Sequence, residues 1–108
     1  MFKEEIGTAA TYEMLAEECS ELAQACLKYA RILRGENPTP KTQAEVIDNI
    51  IEEYTDVRLV ASDLGLIYDD NIVKHKLLRF AGRINEMKES EKKWYHSYSE
   101  FYHLQLLY

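Results

Sequence analysis

The sequence predicts an all-α protein, an antiparallel bundle of about four helices, and three observations lead there. Apolar residues recur at alternating spacings of three and four, which is the period of an amphipathic helix. No segment alternates apolar and polar residues as a half-buried strand would. The 108 residues include only 4 Gly and 2 Pro, and both prolines fall in one short segment. We therefore expect long helices joined by brief breaks.

The first helix is predicted from about Thr11 to Arg34, and Gly35 ends it because the Gly-Glu-Asn-Pro-Thr-Pro segment that begins there cannot continue a helix. Its apolar stripe is Leu15, Cys19, Leu22, Cys26, Tyr29 and Leu33. Cys19 and Cys26 lie about 10 Å apart along the axis, which is too far for a disulfide. We expect them to be reduced thiols in the core.

The second helix is predicted from Thr42, which forms a capping box with Glu45, to about Leu64. Gly65 suits the left-handed position that closes a helix. The apolar stripe of this helix consists of Val46, Ile47, Ile50, Tyr54, Val57, Ala61 and Leu64.

The third helix is predicted to start near Asp69 or Asp70, with a stripe of Val73, Leu77, Phe80, Ile84 and Met87. Residues 88–108 form a tail rich in aromatic side chains. A fourth amphipathic helix there would pack Tyr98, Phe101 and Leu104 on the bundle or on a partner subunit. We expect one domain over residues 1–108, with its core at about 11–87.

Composition and charge exclude several functions. A formal net charge of -6 argues against binding to the nucleic acid backbone, which requires clustered Lys and Arg. No run approaches 18 apolar residues, and the first residues lack the apolar run of a secretory signal. These features predict a cytoplasmic protein without membrane association. So short a chain leaves part of its apolar stripes uncovered, which predicts a homo-dimer or homo-tetramer.

Two acidic triplets stand out, one on each of the first two helices. They are Glu17, Glu18 and Glu21, followed by Glu52, Glu53 and Asp56. Taken singly, either triplet is typical of a solvated helix face. However, the second and third members of each triplet lie roughly 60° and 120° to the same side of their apolar stripe. In antiparallel neighbours, equal offsets fall on one face of the pair, and the two groups should also lie roughly level.

Four converging carboxylates, Glu18, Glu21, Glu53 and Asp56, would repel one another at neutral pH unless a cation neutralised them. Oxygen-only ligands suit Mg²⁺, and Mn²⁺ can substitute. The third helix adds Lys76, Arg79 and Arg83 at spacings of three and four, displaced to the same side of their stripe. These side chains would line a path for phosphates, or would form a solvated basic face that pairs with acidic ones.

The motifs Glu17–Leu22 and Glu52–Val57 resemble the paired EExxE and EExxD signature of the MazG-like, all-α nucleotide pyrophosphohydrolases, and the resemblance extends over about residues 14–84. It implies Mg²⁺-dependent cleavage of a nucleoside triphosphate to the monophosphate and pyrophosphate. By the same resemblance, Glu18, Glu21, Glu53 and Asp56 are metal ligands. The segment Lys76–Ile84 resembles the basic helix that approaches the phosphates in this family.

The resemblance leaves the roles of Glu17 and Glu52 open between an extra ligand, an orienting group and the base that activates water, with Glu17 slightly favoured. The interval of 31 residues between Glu21 and Glu53 is longer than in compact members of the family. Two other functions remain as alternatives. One is a phosphoribosyl-ATP pyrophosphatase activity, and the other is a non-catalytic helical module that binds a protein partner.

Overall fold

The computed structural model describes residues 1–36 and 41–90, and within them the chain is helical and contains no strand. The prediction of an all-α protein is therefore confirmed for this part of the chain. The helices are α1 (Phe2–Ile6), α2 (Thr8–Leu33), α3 (Gln43–Asp63) and α4 (Asp70–Ser90). The aromatic tail, with Tyr98, Phe101 and Leu104, lies outside the described residues. The chain divides into two compact units, Met1–Ile67 and Tyr68–Tyr108.

Local capping explains the bounds of the long helices. The backbone N–H of Glu45 donates to the Thr42 hydroxyl oxygen at 3.1 Å, so the predicted cap of α3 is confirmed. Gly65 follows this helix with a φ of 74°, the left-handed value that was expected. At the start of α4, the N–H of Ile72 donates to the Asp69 carboxylate at 3.0 Å.

The sequence did not indicate α1, because five residues are too few to show a helical period. Gly7 separates α1 from α2 with a φ of 93°, a conformation that glycine adopts without strain. Helix α2 therefore begins at Thr8, three residues before the predicted start. The Thr11 hydroxyl donates to the Gly7 carbonyl at 2.8 Å, and Thr11 is fully buried.

Helices α2 and α3 form an antiparallel hairpin, as their short connection predicts. The Lys3 N–H, near the start of α1, donates to the Asp63 carboxylate at 2.8 Å, and the amino group of Met1 lies 3.0 Å from the same carboxylate. Asp63 is the last residue of α3, so α1 lies near the end of α3. The start of α2, which follows α1 directly, lies there too. Among the described residues, no helix is long and apolar enough to cross a membrane.

The sector of each helix that packs in the hairpin differs from the predicted stripe. Cys19 and Cys26 are free thiols but exposed, so their assignment to the core is wrong. Leu33 and Tyr54 are also exposed, at 61% and 44%. The packed sector of α2 instead comprises Thr11, Leu15, Glu18, Leu22, Ala25, Tyr29 and Ile32, and that of α3 comprises Val46, Ile50, Glu53, Val57, Val60 and Leu64.

The packed sector is rotated relative to the predicted stripe, and the composition of the helices explains this rotation. Apolar and small side chains cover more than half of the circumference of α2, so its period alone does not specify which sector meets α3. The packed sector includes the small residues Thr11 and Ala25, which permit close approach of two helices. The consequence for function is that Glu18 and Glu53 are drawn toward the helix contact.

Candidate metal centre

Three carboxylates of the predicted set come together midway along the hairpin. Glu18 of α2 and Glu53 and Asp56 of α3 each present one oxygen atom, and these atoms all lie within 4.8 Å of one another. Glu53 and Asp56 are three residues apart on one helix face, and the antiparallel pairing places Glu18 beside them. The group can therefore offer three carboxylate ligands to one cation.

Burial makes this cluster different from a solvated acidic face. Glu18 and Glu53 are half-buried, whereas Asp56 is exposed. The Oε2 atoms of Glu18 and Glu53 are shielded from solvent and have no hydrogen-bond partner among the described residues. An unpartnered carboxylate oxygen is costly to bury, and native structures normally supply such an atom with a donor or a metal ion.

The electrostatic surroundings oppose ionisation of the same two groups. The pKa of Glu18 is raised, first because burial disfavours its charged form and then because Glu21, Asp56 and Glu17 add negative charge. The pKa of Glu53 is also raised, by burial, by a hydrogen bond with the Glu21 carboxyl group and by the neighbouring negative charges. Both carboxyl groups therefore hold their protons more tightly than an isolated glutamate does.

Glu21 is exposed and adjoins the cluster, since its carboxyl group pairs with those of Glu18 and Glu53. A divalent cation among these groups would offset the repulsion between them. Glu17 and Glu52 precede the ligand positions and are exposed on the same side of the hairpin.

The donor set fits a hard divalent cation. All the available ligand atoms are carboxylate oxygens, and no Cys or His belongs to the cluster within residues 1–36 and 41–90. Mg²⁺ and Mn²⁺ bind such oxygens and retain several waters, for which the exposed side at Asp56 leaves room. A cation would also supply a partner for the buried Oε2 atoms of Glu18 and Glu53.

The predicted phosphate-binding residues lie on α4 in the second compact unit. Lys76, Arg79 and Arg83 are all exposed, and their spacing places them along one side of the helix. The guanidinium carbon of Arg83 lies 5.6 Å from the centre of the Phe80 ring. Their role toward phosphate stays a prediction.

Sequence reasoning found the members of the cluster but not their burial. The helical period predicted that Glu18 and Glu53 lie beside the packed sector, whereas they lie within it. An indirect signal was present, because Glu18 continues the seven-residue spacing of Thr11, Ala25 and Ile32. Comparison of the chain with protein-family models, curated proteins and solved structures found no match.

Proposed function

We propose that this protein is a Mg²⁺-dependent nucleoside triphosphate pyrophosphohydrolase, which converts a nucleoside triphosphate to the monophosphate and pyrophosphate. One observation carries the proposal: three carboxylates converge within 4.8 Å, and two of them keep a buried oxygen without a partner. Carboxylates on a solvated face would spread apart and hydrate. The paired EExxE and EExxD motifs support the same reaction class.

Glu18, Glu53 and Asp56 would hold the cation, and Glu21 would complete the set from the edge of the cluster. A bound Mg²⁺ would neutralise phosphate charge and lower the pKa of a water. The two helices would hold the carboxylates in position before substrate arrives, so that little reorganisation would accompany the reaction. Mn²⁺ fits the same oxygen donors and can substitute.

The exposed carboxylates Glu17 and Glu52 suit the transfer of a proton. Water would form a bond from its oxygen to the α-phosphorus, and the bond from this phosphorus to the oxygen that leads to the β-phosphate would break. A carboxylate beside the cluster, Glu17 or Glu52, would take the proton of the water, with Glu17 slightly favoured. No covalent intermediate with the protein is required.

The negative charge of the departing pyrophosphate needs cationic side chains beside it. The family resemblance assigns this role to Lys76, Arg79 and Arg83. Guanidinium groups pair with phosphate oxygens in a planar, two-point geometry, whereas an ammonium acts as a point charge. The net charge of -6 makes local cations necessary if a substrate with several negative charges is to bind.

The test is release of pyrophosphate from a panel of ribonucleoside and deoxynucleoside triphosphates, with and without Mg²⁺. The wild type is compared with Glu53→Gln, which removes one ligand charge, and with Asp48→Asn, which removes an exposed charge on the same helix outside the cluster. We expect metal-dependent turnover in the wild type and in Asp48→Asn, and its loss in Glu53→Gln.

Phosphoribosyl-ATP belongs in the same panel, since turnover of this compound alone would replace the proposed substrate and retain the chemistry. If no compound in the panel releases pyrophosphate and Mg²⁺ leaves the melting temperature unchanged, the proposal is wrong. The helical interaction module would then be the better description of the protein.

A further inference from the structure

The side of the hairpin opposite the acidic cluster carries a second apolar row on α2, which we call the α2 seam. Its members alternate at spacings of three and four over the whole helix, and each small residue is followed by a larger one. They are Ala9, Tyr12, Ala16, Cys19, Ala23, Cys26, Ala30 and Leu33. All are exposed except Ala30, which is half-buried. A sustained row with this period is typical of a helix that packs against another helix.

Helix α3 carries a matching row, the α3 seam, with the same alternating spacings. It consists of Ala44, Ile47, Ile51, Tyr54, Arg58 and Ala61. Ile47, Ile51 and Tyr54 are exposed at 39%, 56% and 44%. The Arg58 guanidinium donates to the Tyr54 hydroxyl at 3.2 Å, so this charge lies folded along the row.

Both seams lie on one face of the hairpin. At about 100° per residue, each seam is displaced by roughly 60° to 160° from the packed sector of its helix, in the same rotational sense. Equal offsets on antiparallel helices fall on one face of the pair. Glu21 and Asp56 are displaced in the opposite sense, so the acidic cluster and the seams occupy opposite faces.

The α2 seam is complementary to itself when two copies of the helix run antiparallel. With Glu21 at the two-fold axis, every large residue of the seam falls opposite an alanine, and none of the eight members is left unmatched. Pairing large with small residues lets two helices approach closely without voids. The four pairs are Tyr12 with the partner's Ala30, Cys19 with the partner's Ala23, Cys26 with the partner's Ala16, and Leu33 with the partner's Ala9.

The α3 seam gives the same axis independently. Antiparallel self-pairing matches all six of its members when the two-fold axis passes between Glu52 and Glu53. The pairs are Ala44 with the partner's Ala61, Ile51 with the partner's Tyr54, and Arg58 with the partner's Ile47, against which the Arg stem can lie. In the hairpin, Glu18 lies beside Glu53 and Asp56, so Glu21, about one turn further along α2, is roughly level with Glu52 and Glu53. One axis therefore satisfies both seams together.

The size of the face also suits a second copy. The seams run for about 37 Å on α2 and about 26 Å on α3, and a helix is about 10 Å wide. The face thus offers on the order of 600 Å² in projection, and protruding side chains make its accessible area larger. Stable interfaces bury about 800 Å² on each partner.

We propose that two copies of this chain pair face to face through the α2 and α3 seams, with α2 antiparallel to α2 of the partner and α3 antiparallel to α3 of the partner. The product is a four-helix core built from two hairpins. Its two acidic clusters lie on opposite outer faces, so dimer formation leaves both open to solvent. The proposal does not depend on the proposed enzymatic activity, and its test needs neither metal nor substrate.

The test is disulfide trapping in the full chain with Cys19→Ala, which leaves Cys26 as the native thiol. Adding Ala16→Cys places a thiol opposite the partner's Cys26, whereas the two thiols of one chain are about 15 Å apart along the helix and cannot bond. We expect mild oxidation to convert most of the chain to a covalent dimer that reductant reverses. The matched control adds Gln24→Cys instead, which points away from the seam, and it should remain uncrosslinked.

A second variant tests the same face without a crosslinking reaction. Ala23→Arg forces a long charged side chain against the partner's Cys19 and should weaken association by about 100-fold or more, while Gln24→Arg should have no effect. Light scattering measures the mass, and circular dichroism checks that helicity is retained. If Ala23→Arg loses helicity, the trapping experiment alone decides.

Two outcomes would overturn the inference. A wild-type chain that keeps the 12.7 kDa monomer mass at high concentration would show that the seams do not pair two copies. An oligomer in which the Ala16→Cys variant forms no covalent dimer would show that α2 does not pair with α2 of the second copy.

Discussion

On the acidic face of the α2–α3 hairpin, Glu18 and Glu53 each keep a buried oxygen without a partner. On the opposite face, Ile51 and Tyr54 keep about half of their surface exposed. Within the described part of the chain, the two buried oxygens have no hydrogen-bond donor, whereas the opposite face presents apolar side chains to solvent. The two faces of the same helices therefore need different kinds of partner. The comparison indicates that the two faces call for different partners: a cation would satisfy the first face, and a second copy of the chain would cover the second.

Asp63, outside the cluster, is an acidic group of the same hairpin whose carboxylate does have polar partners. Asp63 accepts a hydrogen bond from the Lys3 N–H and lies 3.0 Å from the Met1 amino group, and its pKa is lowered by these contacts. Glu18 and Glu53 have the opposite shift. Stability should therefore respond to pH with opposite signs at the two places.

The largest expected effect is a loss of activity without a change of oligomeric mass, which distinguishes the acidic face from the seams. Glu18→Gln should lower metal-dependent pyrophosphate release by at least about 100-fold, because a ligand charge is lost at the cluster. The variant should keep the same oligomeric mass as the wild type, since the seams are untouched. Paired turnover and light-scattering measurements check this, with Asp48→Asn as the charge-matched control. Full activity in Glu18→Gln would remove this residue from the site.

Metal binding should give the next largest effect. Mg²⁺ or Mn²⁺ at 100 times its dissociation constant should raise the melting temperature by several degrees, since a ligand that binds only the folded state stabilises it. Thermal unfolding in EDTA and in excess metal measures the shift. Glu53→Gln should show little or no shift, and an equal response in this variant would place the cation elsewhere.

In EDTA, Glu18→Gln and Glu53→Gln should each melt a few degrees above the wild type at pH 7. Both pKa values are raised in the folded state, so at pH 7 the folded wild type bears repulsion that the unfolded chain does not. Below the ordinary value of 4.5 both states are protonated, and the difference should vanish. Melting curves from pH 4 to 8 test this, and a wild type that melts higher than both variants would contradict it.

The smallest effect is expected at Asp63, with the opposite sign. Asp63→Asn should lower the melting temperature modestly, because the amide cannot replace a charge-assisted contact. The lowered pKa means that this stabilisation is present above the ordinary value of 3.8 and is lost as pH falls through the folded pKa. Wild type and variant should therefore converge in acid. A difference that grows below pH 4 would exclude this linkage.

Capping and turn residues determined the helices of the hairpin from sequence alone. Thr42, Gly35 and Gly65 act through their immediate neighbours, so the end of α2 and both ends of α3 agree with expectation within about one residue. The short helix α1 was missed for the opposite reason, since five residues carry no period. Its position depends on Asp63, which is sixty residues away from Lys3.

The acidic residues were also identified from sequence, because offsets from a helical stripe survive a modest rotation of the helix. Glu21 and Asp56 lie on one side of the hairpin whichever apolar sector is packed. Only the tertiary structure decided that Glu18 and Glu53 enter the contact and that Cys19 and Cys26 do not. Helix α2 has two apolar rows, and the choice between them depends on how the surfaces of two helices fit together, which a single helix cannot specify.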